Sequence, residues 1–182
     1  MKIAEILKEP EGRFLEFKRE IPENKLNILK TAVAFANGAG GRIYVGVNDD
    51  RTVPGIAEEP FDLEEKLSSI FYDSIAPIPN VLFQTVAFET KNIFVIRVLP
   101  GPNKPYYLKK FGPEDGVFVR IGPTNRKADI HVLAELKRQA RNLSLDQEID
   151  LSFSCEILLN LQWYTICSKG KGAWEAKKWP KN

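Results

Sequence analysis

The chain has 182 residues, 43% hydrophobic and 27% charged, the proportions of an ordinary globular protein and not of a disordered or fibrous one. Its 26 Lys and Arg against 24 Asp and Glu leave a net charge of +2. The pI near 8.4 falls below the ~9 of a strongly basic nucleic-acid domain, so any polyanion site has to come from local clustering.

At roughly 150 residues per domain, the length predicts one core and a remainder, divided as 1–145 and 146–182. A short helix is expected from Ile3 to Lys8, then a break at Pro10-Glu11-Gly12. Phe14 to Arg19 reads as a strand whose alternation puts Leu15 and Phe17 on one face, Glu16 and Lys18 on the other. Asn24 to Ala36 predicts a helix buried on most sides, leaving a polar strip of Asn27, Lys30, Thr31 and Ala34. Residues 37–41 end it, Arg42 to Val47 forms an apolar strand, and residues 48–51 turn. Asp62 with Glu65 three on resembles a capping pair opening a helix through Ser74, with Leu63, Leu67, Ile70 and Phe71 inward. Strands are expected at Val81–Phe88, Ile93–Leu99, Tyr106–Lys110 and Val117–Ile121, the first two joined as a hairpin. Gly122 to Lys127 reads as a turn, and a last helix runs from Asp129 to about Asn142. Strands in hairpins with helices between them imply an α+β fold whose mixed, largely antiparallel sheet is flanked by helices. Residues 146–182 hold all three tryptophans and read as a tail, the start of a truncated further region, or a partner-docking segment.

Several chemistries are excluded early. Glu5 stands where a signal peptide needs apolar residues, and no run reaches the ~18 apolar residues of a membrane span, so a cytoplasmic location without membrane contact is expected. Cys155, Cys167 and the single His131 exclude a zinc ribbon and a multi-histidine metal centre. The glycines at 38, 40 and 41 follow a helix and precede a strand, the reverse of a phosphate loop, so they stop the helix and do not cradle an anion.

Two charged sets remain. From Arg97 to Lys127 seven cations face two acids, interleaved with Tyr106, Tyr107, Phe111 and Phe118. Arginine forks fit phosphate and aromatic rings can stack on bases, so Lys104, Lys109, Lys110, Arg120, Arg126 and Lys127 are candidate nucleic-acid contacts; a solvated rim of strand ends is the alternative. Among the acids, Glu11 can swing back over Gly12 towards Glu16, and Asp49 or Asp50 ends the next strand. Three such carboxylates could hold Mg²⁺ or Mn²⁺ for phosphodiester hydrolysis, or Glu16 simply pairs with Lys18 or Arg19 on a solvated strand face.

The segments Glu16-Phe17-Lys18, Ala34-Phe35-Ala36-Asn37-Gly38 with Gly40-Gly41, Ile43 through Asp49, Val53-Pro54-Gly55-Ile56, Lys104-Pro105-Tyr106-Tyr107, and Val119-Arg120-Ile121-Gly122 with Asn125-Arg126 occur in an order that resembles the Schlafen-AlbA domain family. The resemblance covers about residues 8–130. It implies an α+β domain that binds nucleic acid, DNA in particular, within prokaryotic transcriptional regulators, with no cofactor. It also implies an alternative: in animal Schlafen proteins the related core is a metal-dependent endoribonuclease with three acids, which would fall on Glu11, Glu16 and Asp49, and it needs two copies of the core, here a homodimer.

Overall fold

The structure, a computed structural model, describes residues 3–141; the expectations for the tryptophan-bearing end lie outside the described residues. The one-turn helix α1 (Ile3–Ile6) leads past Pro10 into strand β1 (Leu15–Lys18). Helix α2 (Leu26–Asn37), strand β2 (Gly41–Val45), helix α3 (Pro60–Ser74) and the short strand β3 (Ile75–Ala76) follow. Next come the hairpin strands β4 (Val81–Phe88) and β5 (Lys91–Val98), then β6 (Tyr107–Leu108), a 3-10 turn (Lys109–Phe111) and the one-turn helix α4 (Gly112–Asp115). The hairpin β7 (Phe118–Ile121) and β8 (Thr124–Lys127) precedes helix α5 (Ile130–Ala140).

The main sheet has the order β1-β2-β5-β4; β1 and β2 are parallel and every other pair is antiparallel. This is the mixed, largely antiparallel α+β arrangement expected. The parallel pair follows from α2, which carries the chain back across the sheet between β1 and β2. Ile43, Val45, Phe94, Ile96 and Val98 pack with Phe35, Leu67 and Phe71 in the larger core. A smaller cluster of Phe17, Tyr44, Ile93 and Val95 lies on the other side, with Ile6 of α1 packed into it. Among the described residues no helix is long and apolar enough to cross a membrane.

Four expectations are revised. Helix α3 starts at Pro60, not at an Asp62 cap, because proline is pre-set for the first helical position; Asp62 instead sits in the first turn, where a negative charge suits the helix dipole. The strand expected over Tyr106–Lys110 shrinks to two residues as the chain winds into the 3-10 turn. Gly122 to Lys127 is no open turn: Gly122 at φ 57° and Pro123 form a two-residue hairpin loop, and Thr124–Lys127 returns as β8. The polar strip of α2 is also narrower than its sequence suggests, since Thr31 and Ala34 are buried.

The glycines after α2 act as expected of a helix stop. The Gly38 N–H donates to the Ala34 and Phe35 carbonyls. A Cβ on Gly41 would lie 2.6 Å from the Phe35 ring, so the strand can pass this close to the helix only without a side chain.

Candidate functional site

Glu16 and Arg120, one from each candidate set, meet. Glu16 shares its sheet row with Ile43 and Ile96, so it points into the larger core and is 8% exposed. A carboxylate there needs partners, because an unpaired buried charge is prohibitively costly. Arg120 of β7 donates through Nη2 to Glu16 Oε2, and Lys18 Nζ lies 2.6 Å from Oε1. The pairing with Lys18 is as anticipated, but the face is buried and not solvated.

The rest of the Arg120 fork is also engaged. Its Nε donates to the Gly12 carbonyl at 3.1 Å and its Nη1 to Asn125 Oδ1 at 3.0 Å, and the guanidinium lies 5.4 Å from the Phe35 ring centroid. Asn125 donates onward to Thr31 Oγ1 at 2.8 Å, and Thr31 to the Asn27 carbonyl at 3.0 Å. One polar network therefore joins β1, α2, β7 and β8.

The other acids have separate duties. Glu11 Oε1 accepts from the Phe17 N–H at 2.7 Å. Asp49 is exposed in the turn after β2. Its neighbour Asp50 accepts from the Thr52 hydroxyl and N–H, which hold its pKa below the usual range. Among the described residues no three His, Cys, Asp or Glu side chains gather as a metal site. A divalent ion at Glu16 would have to displace a guanidinium and an ammonium, so these acids do not fit one as arranged.

The remaining cations lie on several elements. Lys104 is half-buried between α2 and α5; its Nζ donates to Gln139 Oε1 at 3.0 Å and lies 3.4 Å from the Gly38 carbonyl. Desolvation lowers its pKa, and Glu135 partly opposes that. Lys109 donates to the Tyr72 carbonyl at 2.9 Å, whereas Lys110 is exposed beside Phe111. Lys127 pairs with Asp115 at 2.6 Å, both exposed, which ties β8 to the α4 turn that directly follows Lys109 and Lys110. Arg126 is exposed on the opposite side of the hairpin, beside Val119. Lys30 was not singled out in the sequence, where it reads as part of a solvated strip. It lies 5.1 Å from the Phe118 ring, and Phe118 is the register partner of Lys127. Only the packing of α2 on β7 sets Lys30 against this ring. His131 is exposed on α5.

Residues 11–129 match the Schlafen, AlbA_2 family. The chain belongs to that family. Similar folds occur among solved structures, of which two illustrate the likeness. One is the DIP2311 protein from Corynebacterium diphtheriae, with a TM-score of 0.51 and 18% identity over 75% of this chain; the match spans only 31% of that protein. The other is the N-terminal domain of a RecG-related protein from Nitrosomonas europaea, with a TM-score of 0.51 and 23% identity over 70% of this chain and 91% of that domain. No curated protein matches.

One buried side chain joins the end of α2 to two distant segments. Asn37 Nδ2 donates to the Tyr106 and Phe118 carbonyls at 2.8 and 3.0 Å, and its Oδ1 accepts from the Tyr106 N–H at 2.7 Å. Segments 34–38, 104–107 and 118–121 are thus held at the end of α2 by a residue whose amide suits both a donor and two acceptors.

Proposed function

We propose that this Schlafen AlbA_2 domain binds nucleic acid, DNA in particular, as the recognition part of a transcriptional regulator. Lys30, Lys109, Lys110, Arg126 and Lys127 contact backbone phosphates, and Lys104 stands at the margin. The observation that carries the reading is the run of exposed cations along the 3-10 turn and β8, linked through the Lys127–Asp115 pair. Arg120 serves this surface from beneath, because its buried fork holds β7 against β1 and α2. Family membership supports a nucleic-acid-related role. The similarly folded domain of a protein named for its relation to an ATP-dependent DNA helicase supports the choice of DNA.

Phosphate contacts release condensed counterions, so log K falls with log salt at about −0.9 per phosphate neutralised. Four or five engaged cations give a slope of about −4 on a fluorescent duplex. The Arg126→Ala/Lys127→Ala variant should flatten it by about 2. A salt-independent affinity, or a slope the double variant leaves alone, rejects the proposal.

A further inference from the structure

The face of the main sheet opposite α2 carries charge that nothing so far explains. Its register lines up Leu15, Arg42, Arg97 and Leu82 in one row and Phe17, Tyr44, Val95 and Gln84 in the next. Arg42 and Arg97 are direct antiparallel partners, a position in which like charges destabilise a sheet. Neither enters an ion pair among the described residues, in contrast to Glu16, whose two oxygens both hold cations. The two guanidiniums border a cleft of about 520 Å³ between α1 and the sheet, within the range of small-ligand sites. Ile3, Ile6, Val86, Val95 and Phe88 give it apolar walls, and Gln84 and Tyr44 add polar groups. The Tyr44 hydroxyl accepts a hydrogen bond from Arg42, and burial raises its pKa more than the bond and charge of Arg42 lower it.

Two facing arginines, neither held in an ion pair among the described residues and both set beside an apolar wall, suit an anion with an organic body. Guanidinium forks match phosphate oxygens, and two positive charges match a phosphate dianion. We propose that this cleft binds a free mononucleotide, with Arg42 and Arg97 clamping its phosphate and its apolar part resting on Val86, Val95 and Phe88. The site lies across the sheet from the Glu16 network and does not depend on the DNA-binding reading.

The test uses the full chain, calorimetric titration with AMP and with adenosine, and thermal unfolding in sodium phosphate against sodium chloride of equal ionic strength. AMP should bind and adenosine should not, and phosphate should raise Tm above chloride. Arg97→Gln should weaken AMP binding by at least about tenfold, the loss of one charged hydrogen-bonding partner, and remove the phosphate-specific rise. In chloride the same variant should melt higher than the parent, because the opposed charge is gone, which also shows that it folds. Arg42→Gln should repeat the loss, and Arg126→Ala/Lys127→Ala should bind AMP unchanged. Equal binding of adenosine and AMP, or parental AMP affinity in both glutamine variants, overturns the proposal. Displacement of AMP by a 5′-phosphorylated oligonucleotide at equal concentration overturns the assignment to a free nucleotide.

Discussion

Replacing Arg120 by methionine tests the polar network at its centre. The Arg120 side chain is 2% exposed and that of Glu16 10%, so solvent does little to screen the pair. The substitution leaves three acceptors without their donor: Glu16 Oε2, the Gly12 carbonyl and Asn125 Oδ1. Glu16 keeps only Lys18, whose side chain is 31% exposed. Breaking a buried ion pair from one side costs about 3–5 kcal/mol, a large part of the roughly 5–15 kcal/mol that holds a domain folded. Glu16→Leu alone strands the guanidinium and should cost a similar amount. The double variant Glu16→Leu/Arg120→Met removes both charges and should lose far less than the sum, giving a coupling of about 2–3 kcal/mol. Urea unfolding followed by circular dichroism measures all four proteins, and an unchanged m-value keeps the comparison valid. A single variant that loses under about 1 kcal/mol, or losses that simply add, would refute the view that these residues satisfy each other.

Asn37→Ala should destabilise the fold by about 2–3 kcal/mol in the same assay, because it orphans the Tyr106 N–H and leaves two buried carbonyls without their donor. Gly41→Ala should cost about 1–3 kcal/mol through overpacking against Phe35, and a Phe35→Leu background should recover part of that. Glu135, bonded by Arg138 and Gln139, has its pKa drawn down from 4.5 to about 2. Because the folded value is the lower one, its contribution to α5 is present above pH 4.5 and fades as the pH falls through 2. Carboxyl NMR should show that midpoint, and a midpoint near 4.5 would contradict the contacts seen.

What was legible in the sequence was local. The stripes on α2, the glycine stop after it and the β4–β5 hairpin follow from side-chain period and turn chemistry within a few residues of each other. The start of the last helix at Asp129 was legible too, and the structure adds its cap: the Asp129 carboxylate accepts from the Val132 N–H at 2.8 Å. Strand alternation could not tell where Glu16 points, because both faces of this sheet are covered. Nor could the acid and cation sets, weighed separately, disclose their meeting: Glu16 and Arg120 stand 104 residues apart. Lys30 reads as solvent-facing until Phe118 packs beside it. Arg42 and Arg97 look like scattered charges until the β2–β5 register sets them opposite one another.

The bond from Glu11 to the Phe17 amide has a consequence for how this sheet can grow. The Phe14 and Lys18 carbonyls accept from the Arg42 and Gly46 amides, so even-numbered residues of β1 face β2 and the Phe17 amide faces outward. Glu11 occupies that outward donor, and a carboxylate there deters any incoming strand. Strand β4, eight residues long, is partnered only by β5 among the described residues and carries no such guard. Among the described residues, the sheet is therefore open to a further strand along β4 and guarded at the Glu11 border.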